Sequence, residues 1–290
     1  MTASPARKVI IYGSAVLLAI WTIIPVYWMA NMALMYHEEL IAIPAHLYPH
    51  QLTLANFLRM FGLPAGGPNG EPLVAIGQAF LVRKGWLNSL VVSIAVTILT
   101  MLIALPCAYA LGRLRYKGRS GLLFAIVSTR AYPPIAVLVP FSYLFLLVGL
   151  QGTILGLVII YLTIAVPLIT WIMSGFFAAL PRNLERAARV DGLTRWQTFL
   201  KVMVPVAMPG VASCAVIAFL TSWNEFTFSL ILTAGSSAQT FPPALSAMFF
   251  QISFANEMAA ATFLGIIPPL VLALIFQSRI RRLNIADPLG

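Results

Sequence analysis

The chain has 290 residues, 60% of them hydrophobic and only 9% charged, with a formal net charge of +10. Soluble domains carry roughly 25% charged residues, so this composition excludes an ordinary soluble enzyme or carrier. The basic excess invites a nucleic-acid reading, but its placement at the ends of apolar stretches argues for a membrane topology instead.

Six stretches are apolar enough and long enough to cross a hydrocarbon core of about 30 Å as helices. In chain order they are 9–34, 86–111, 121–148, 152–178, 207–233 and 258–277. The expected class is therefore an all-α polytopic membrane protein with a single membrane domain. The first stretch follows Arg7 and Lys8, is too long for a signal-peptide core and lacks an A-x-A site after it, so it reads as a retained helix.

The connection after it, 35–85, is the longest and includes the turn-rich run GLPAGGPNGEP at 62–72. His37, His46 and His50 fall here without ligand-like spacing on one element and read as surface residues. The connection around Gly149 to Gly152 is barely a turn, and that at 234–257 carries Gly235-Ser236-Ser237 and Pro242-Pro243. Cys107 and Cys214 sit within spans as small buried hydrophobes.

Arg7 and Lys8, then Arg113, Arg115, Lys117 and Arg119, then the basic residues of 181–205, then Arg279, Arg281 and Arg282 all fall on one side of a six-span arrangement. The other side holds Arg59, Arg83 and Lys84, and Arg130 lies within a span. By the positive-inside rule both termini are cytoplasmic. The spans also contain Pro25, Pro106, Pro133, Pro134, Pro140, Pro167, Pro268 and Pro269. Proline kinks or breaks helices, and transport bundles use irregular backbone to line cavities.

Segment 181–205, PRNLERAARVDGLTRWQTFLKVMVP, concentrates charge that the rest of the chain lacks. Leu184, Ala187 and Ala188 form a narrow face of a first short helix, whose other face carries Arg182, Glu185, Arg186 and Arg189. Glu185 precedes Arg189 in the favourable order for an ion pair one turn on. Asp191 and Gly192 follow, and glycine there ends the helix. Thr194 and Gln197 have capping-box spacing, opening a second helix with the apolar face Trp196, Phe199, Leu200, Met203 and Val204 before Pro205. Such a bent pair suits either a partner's groove or the lipid headgroup layer.

The same segment resembles the EAA loop of bacterial ABC importer permeases, whose pattern is E-A-A, three residues, Gly, nine residues, I-x-L-P. Here Arg186-Ala187-Ala188, Gly192 and Val202-Met203-Val204-Pro205 keep that spacing. Arg186 replaces the usual Glu, with Glu185 one place earlier, and valines replace Ile and Leu. Trp86-Leu87-Asn88-Ser89-Leu90, Pro133-Pro134-Ile135, Gly149-Leu150 and Trp223-Asn224-Glu225-Phe226 are similar to the maltose-type carbohydrate permeases.

The resemblance implies a type I importer fold in the bacterial inner membrane and a second homologous permease as partner. It further implies two ATPase subunits that bind ATP and Mg, and an extracytoplasmic solute-binding protein. It makes 181–205 the coupling loop, with Glu185, Arg186, Ala187, Ala188, Asp191, Gly192, Trp196, Phe199 and Pro205 as its contact and shape residues. The chain has no phosphate loop of the form G-x-x-x-x-G-K-[ST], so ATP hydrolysis falls to the partners and no cofactor is expected in this chain.

Ionisable residues inside the membrane point to function by default. Arg130, beside Tyr132 and the two prolines, and Glu225, beside Trp223 and Asn224, fall mid-span. They read either as a structural ion pair or as a pathway lined by Arg130, Tyr132, Trp223, Asn224 and Glu225, where an unpaired Arg130 suits an anionic sugar derivative. Among the alternatives, a non-sugar importer for polyols or for phosphorylated or anionic glycosides shares these features. A secondary transporter needs no EAA loop. A membrane enzyme needs clustered nucleophiles, metal ligands or paired carboxylates, and the sequence offers no catalytic or metal-ligand pattern of that kind.

Overall fold

The computed structural model describes residues 5–44, 46–73, 79–249 and 255–280. In chain order these form α1 (Pro5–Leu34), α2 (His37–Leu40), α3 (Ala55–Met60), a hairpin of β1 (Ala65–Gly66) and β2 (Pro72–Leu73), and α4 (Ala79–Arg113). There follow α5 (Arg119–Ser128), α6 (Pro134–Leu147), α7 (Ile154–Ala179), α8 (Asn183–Val190), α9 (Arg195–Thr198), a π-helical turn at Phe199–Met203 and α10 (Val204–Val206). The chain closes with α11 (Met208–Trp223), α12 (Thr227–Leu232), α13 (Phe241–Phe249) and α14 (Ala255–Ile280). Arg281 and Arg282 lie outside the described residues, as do the side chains of Lys8 and Arg279.

Four described helices are long and apolar enough to cross a membrane: Val9–Leu34 within α1, α4, α7 and Ala255–Gln277 within α14. The expected third and fifth spans are not continuous. At 1.5 Å per residue, α5 (10 residues) and α6 (14 residues) reach only about 15 and 21 Å, each short of the core. The break falls at Thr129–Pro133, because a residue before proline is pushed out of the helical region and Pro134 suits only a helix start. Pro25, Pro106, Pro140, Pro167, Pro268 and Pro269 stay inside their helices.

The fifth expected span ends as α11 at Trp223 and restarts as α12, with the Asn224-Glu225-Phe226 stretch as the irregular link. The connection at 234–257 is not wholly loop. It carries α13, whose Pro242 and Pro243 occupy the first turn, where a missing N–H costs nothing; its residues 250–254 lie outside the described part.

Two compact units divide the chain: residues 1–83 with 244–266, and residues 84–243 with 267–290. In the first, amide side chains satisfy carbonyls at the end of α1. Asn56 Nδ2 donates to Ala33 and Met35, and Asn256 Nδ2 donates to Met32 and Met35. Ala33, Ala259 and Ala260 pack with Met29, Met32 and Phe57. Arg59 pairs with the buried carboxylate of Glu257. In the second unit, α4, α6, α7 and α12 share one core around Val92, Phe145, Ile160 and Phe228. A second core joins α4, α7 and α11 to the π-helical turn through Ala108, Met173, Phe199, Met203 and Cys214. Asn88 donates to the Ser237 and Gln239 carbonyls and Ser89 Oγ accepts from Phe241 N, so the Trp-Leu-Asn-Ser stretch of α4 holds the connection before α13.

Removing one partner of a buried ion pair leaves the other charge uncompensated, at a cost of about 3–5 kcal/mol. Glu257→Ala is therefore expected to lower the thermal unfolding midpoint of the purified chain. The double change Arg59→Met with Glu257→Leu should recover most of the loss.

Candidate functional site

The charged segment folds as a compact knob between α7 and α11. α8 ends as the sequence pattern requires: Gly192 has φ +83°, a left-handed conformation that a side chain disfavours, and Leu193 N donates back to the Ala188 carbonyl. Thr194 Oγ1 accepts from Gln197 N while Gln197 Oε1 accepts from Thr194 N, a complete capping box that starts α9.

From there the structure departs from the expected single amphipathic helix. A π-helical turn at Phe199–Met203 inserts an extra residue per turn and rotates the apolar face. Phe199 and Met203 point into the core, whereas Trp196 is 59% exposed and Leu200 is also exposed. Pro205 does not stop the helix; it sits in the first turn of α10, and the chain turns at Ala207. Arg195–Val206 and Met208–Trp223 meet at 81°. Of the small-residue face, Ala188 is buried, Leu184 half-buried and Ala187 exposed.

The anchor of the knob is Arg113, the last residue of α4. Its side chain is only 3% exposed. Nη1 donates to the Leu180 carbonyl at 2.7 Å and to Phe177 at 3.4 Å, and Nη2 donates to Pro181 at 3.2 Å. Nε stands 3.3 Å from Glu185 Oε1. Glu185 thus pairs with Arg113, on another helix, and no ion pair with Arg189 forms. One guanidinium caps the carbonyl end of α7, where a cation is favoured, and fixes the first turn of α8. Gly112 allows this closeness: a Cβ there would stand 2.6 Å from the Ser174 carbonyl.

Aromatic packing completes the anchor. Phe199 lies 5.1 Å from Tyr109 of α4 and 6.3 Å from Phe177 of α7, and Trp196 lies 5.2 Å from Phe199. Burying a side chain of this size contributes about 1.5–3 kcal/mol. What the knob presents outward is apolar and basic: Val190 (87% exposed), Trp196 and Leu200, with Arg182, Arg186, Arg189, Asp191 and Arg195 around them. Beside it, Arg113, Arg115, Arg119, Arg182, Glu185 and Arg186 line a recess of about 270 Å³.

The five candidate pathway residues stand in different surroundings. Arg130 and Glu225 form no ion pair. Arg130 is exposed and its Nη1 donates to the Ile164 carbonyl of α7 at 3.0 Å, one turn before Pro167. Glu225 caps α12, accepting from Phe228 N at 2.9 Å and Ser229 N at 3.2 Å. Glu225 is met by backbone N–H groups left over at the start of α12, and Arg130 by a carbonyl within α7. Trp223 is 3% exposed and stacks between Phe219 and Phe241, a core position. Tyr132 and Asn224 are exposed. Sequence reasoning missed Arg113, taking it only as a topology charge; its place in the last turn of a long helix was the available signal.

A polytopic, mostly helical membrane protein with a bent, basic knob between two long helices is the architecture of an importer permease. Residues 104–284 match the family described as "Binding-protein-dependent transport system inner membrane component". The chain is 32% identical over 270 residues to the sulfoquinovosyl glycerol transport system permease protein SmoH of Agrobacterium fabrum, covering 92% of this chain and 88% of that one. It is 30% identical over 263 residues to the trehalose transport system permease protein SugB of Mycobacterium tuberculosis, covering 90% and 89%. A crystal structure of a bacterial ABC transporter involved in alginate import matches with a TM-score of 0.75 at 19% identity, over 96% of this chain and 99% of that chain. A second, of the alginate transporter in complex with a periplasmic protein bound to alginate pentasaccharide, matches with a TM-score of 0.64 at 16% identity, over 96% of each chain. The chain belongs to this family of binding-protein-dependent membrane permeases.

Arg113→Ala removes the carbonyl cap of α7 and leaves Glu185 unpaired. Hydrogen bonds to charged groups contribute about 1.5–3 kcal/mol, so the loss should be at least of that order. Proteolysis within 181–205 should speed up in this variant while cleavage elsewhere stays unchanged. Arg113→Lys should restore only part of the protection, since one ammonium cannot span three carbonyls and a carboxylate.

Proposed function

We propose that the chain is one of two related permease subunits of an ATP-driven importer that carries a sugar or sugar derivative across the bacterial inner membrane. It crosses the membrane six times, with the third span built from α5 and α6, the fifth from α11 and α12, and both termini in the cytoplasm. Segment 181–205 is the coupling loop and seats in an ATPase subunit. Two such subunits bind ATP and Mg; this chain holds no cofactor and performs no hydrolysis. A solute-binding protein outside the membrane delivers the substrate.

The observation that carries this reading is the knob itself. Its bend at Gly192, its capping box and its Arg113 anchor make it a rigid projection continuous with α7 and α11, so a push on it reaches two membrane helices. Its exposed Val190, Trp196 and Leu200 have no covering surface among the described residues and suit a groove on a partner. Relatives named for trehalose and sulfoquinovosyl glycerol transport support a carbohydrate or its derivative as substrate. The solved complex with a periplasmic protein supports an external binding protein as a partner of this fold. Arg130 bonds a neutral carbonyl and has no acidic partner among the described residues, which favours an anionic sugar derivative as the second reading.

Gly192→Val forces a β-branched side chain into a left-handed position. In proteoliposomes with the ATPase, partner permease and binding protein, this variant should lose uptake while ATP hydrolysis becomes independent of substrate, or fail to bind the ATPase. Undiminished uptake without the ATPase would overturn the importer reading. Arg186 is exposed on the knob where the family pattern has Glu, and Arg186→Glu, which reverses its charge, should change ATPase association. Arg130→Ala should impair uptake of an anionic substrate with assembly intact; unchanged uptake kinetics would remove Arg130 from the pathway.

A further inference from the structure

All three histidines of the chain lie between positions 37 and 50, and the fold gathers two of them onto one carboxylate. Glu39, on α2, reaches across to the end of the following loop. Its Oε2 accepts from His50 N at 2.8 Å and its Oε1 from Gln51 N at 3.0 Å. The middle of the same loop is tied to α1, because Asn31 Nδ2 and the Tyr27 hydroxyl donate to the Leu47 carbonyl at 2.8 and 3.3 Å. These anchors hold His46 and His50 over Glu39.

The imidazoles then converge. Nδ1 of His46 and Nδ1 of His50 each lie 3.8 Å from Glu39 Oε2, and the two ring centroids are 4.0 Å apart. One ligand atom from each of the three residues lies within 4.8 Å of the others. Tyr48 stacks on His50 at 5.3 Å and 22°, which restrains that ring. At 3.8 Å neither imidazole makes a hydrogen bond to the carboxylate, and Nδ1 of His46 is buried without a hydrogen-bond partner. A buried nitrogen left unmatched costs free energy, whereas a bound cation would use its lone pair.

The spacing is close to what a metal needs. With metal–ligand bonds of about 2.0–2.2 Å in a tetrahedron, neighbouring ligand atoms stand about 3.4 Å apart. The two 3.8 Å separations reach that value by a small rotation of each ring. Two neutral nitrogens and one carboxylate oxygen are a borderline donor set that selects Zn²⁺ and its transition-metal neighbours over Ca²⁺ or Mg²⁺. His50 is 53% exposed, so the fourth coordination position opens to water.

We propose that Glu39, His46 and His50 form a binding site for a borderline divalent transition-metal ion of the Zn²⁺ class, which staples α2 to the 46–50 loop. Placing the site outside the membrane rests on the topology proposed above; binding of the ion does not.

The test uses the full-length chain in detergent, purified with a tag that contains no histidine and stripped of metal with a chelator. Zn²⁺ affinity is read by competition with a chromophoric chelator, and Co²⁺ is used as a spectroscopic probe. One equivalent of Zn²⁺ per chain and the visible bands of four-coordinate Co²⁺ are expected. His46→Ala and His50→Ala should each weaken Zn²⁺ binding by more than about tenfold, since a three-ligand site loses a direct ligand. His37→Ala should bind as the unaltered chain does. Circular dichroism and gel filtration keep the comparison to folded protein; exposed His50 makes His50→Ala the safest variant. Absence of saturable binding up to millimolar Zn²⁺, an affinity unchanged from that of the unaltered chain in His46→Ala or His50→Ala, or an equal loss in His37→Ala would each overturn the proposal. Uptake measurements are not needed, so failure here is separable from failure of the importer reading.

Discussion

A single guanidinium at the foot of α4 meets the last carbonyls of α7 and the first acidic residue of α8. Helix ends leave carbonyls without partners, and burying them unmet is costly. Arg113 answers that demand with a charge that also needs neutralising, and Glu185 supplies the opposite sign. The arrangement joins a membrane helix to the charged knob through charged hydrogen bonds, which are stronger and more directional than apolar contact. The aromatic group of Tyr109, Phe177 and Phe199 then surrounds this junction. The orientation of the knob, and so any motion passed through it, follows from that junction.

The membrane part is arranged around interruptions. The breaks at Thr129–Pro133 and at Asn224–Phe226 leave backbone groups that lipid cannot satisfy. Arg130 and Glu225 lie at these two places, and both are bonded to backbone. An ionisable residue at such a break thus has a backbone partner of its own. Glu225 serves as a helix cap, while Arg130 spends one nitrogen on a carbonyl and keeps an exposed charge. That difference separates a structural residue from a candidate pathway residue.

Much of this was legible in the chain. The long apolar stretches, the Gly192 bend and the Thr194–Gln197 cap depend on residues within a few positions of one another. The EAA-like spacing, with Arg186 where the pattern has Glu, resembled the family to which the chain belongs. Other features were not legible. Periodicity put Trp196, Phe199, Leu200, Met203 and Val204 on one apolar face, but the π-helical turn and the packing of Phe199 against α4 and α7 split that face and left Trp196 and Leu200 exposed. Trp223 read as a pathway aromatic and is core, because Phe219 and Phe241 close on it from different helices.

The sequence by itself determined which segments are lipid-soluble, where the charged segment bends and its second helix begins, and which segment concentrates charge. Those are decided by composition, by backbone freedom at glycine and proline, and by side chains reaching two to four residues. Only the tertiary structure decided who pairs with whom: Arg113 with Glu185 rather than Glu185 with Arg189, Arg130 with a carbonyl rather than with Glu225, and His46 and His50 over Glu39. A charge or a lone pair is satisfied by whatever lies nearest in space. Nothing in the spacing of residues along a chain specifies that neighbour until the helices have packed.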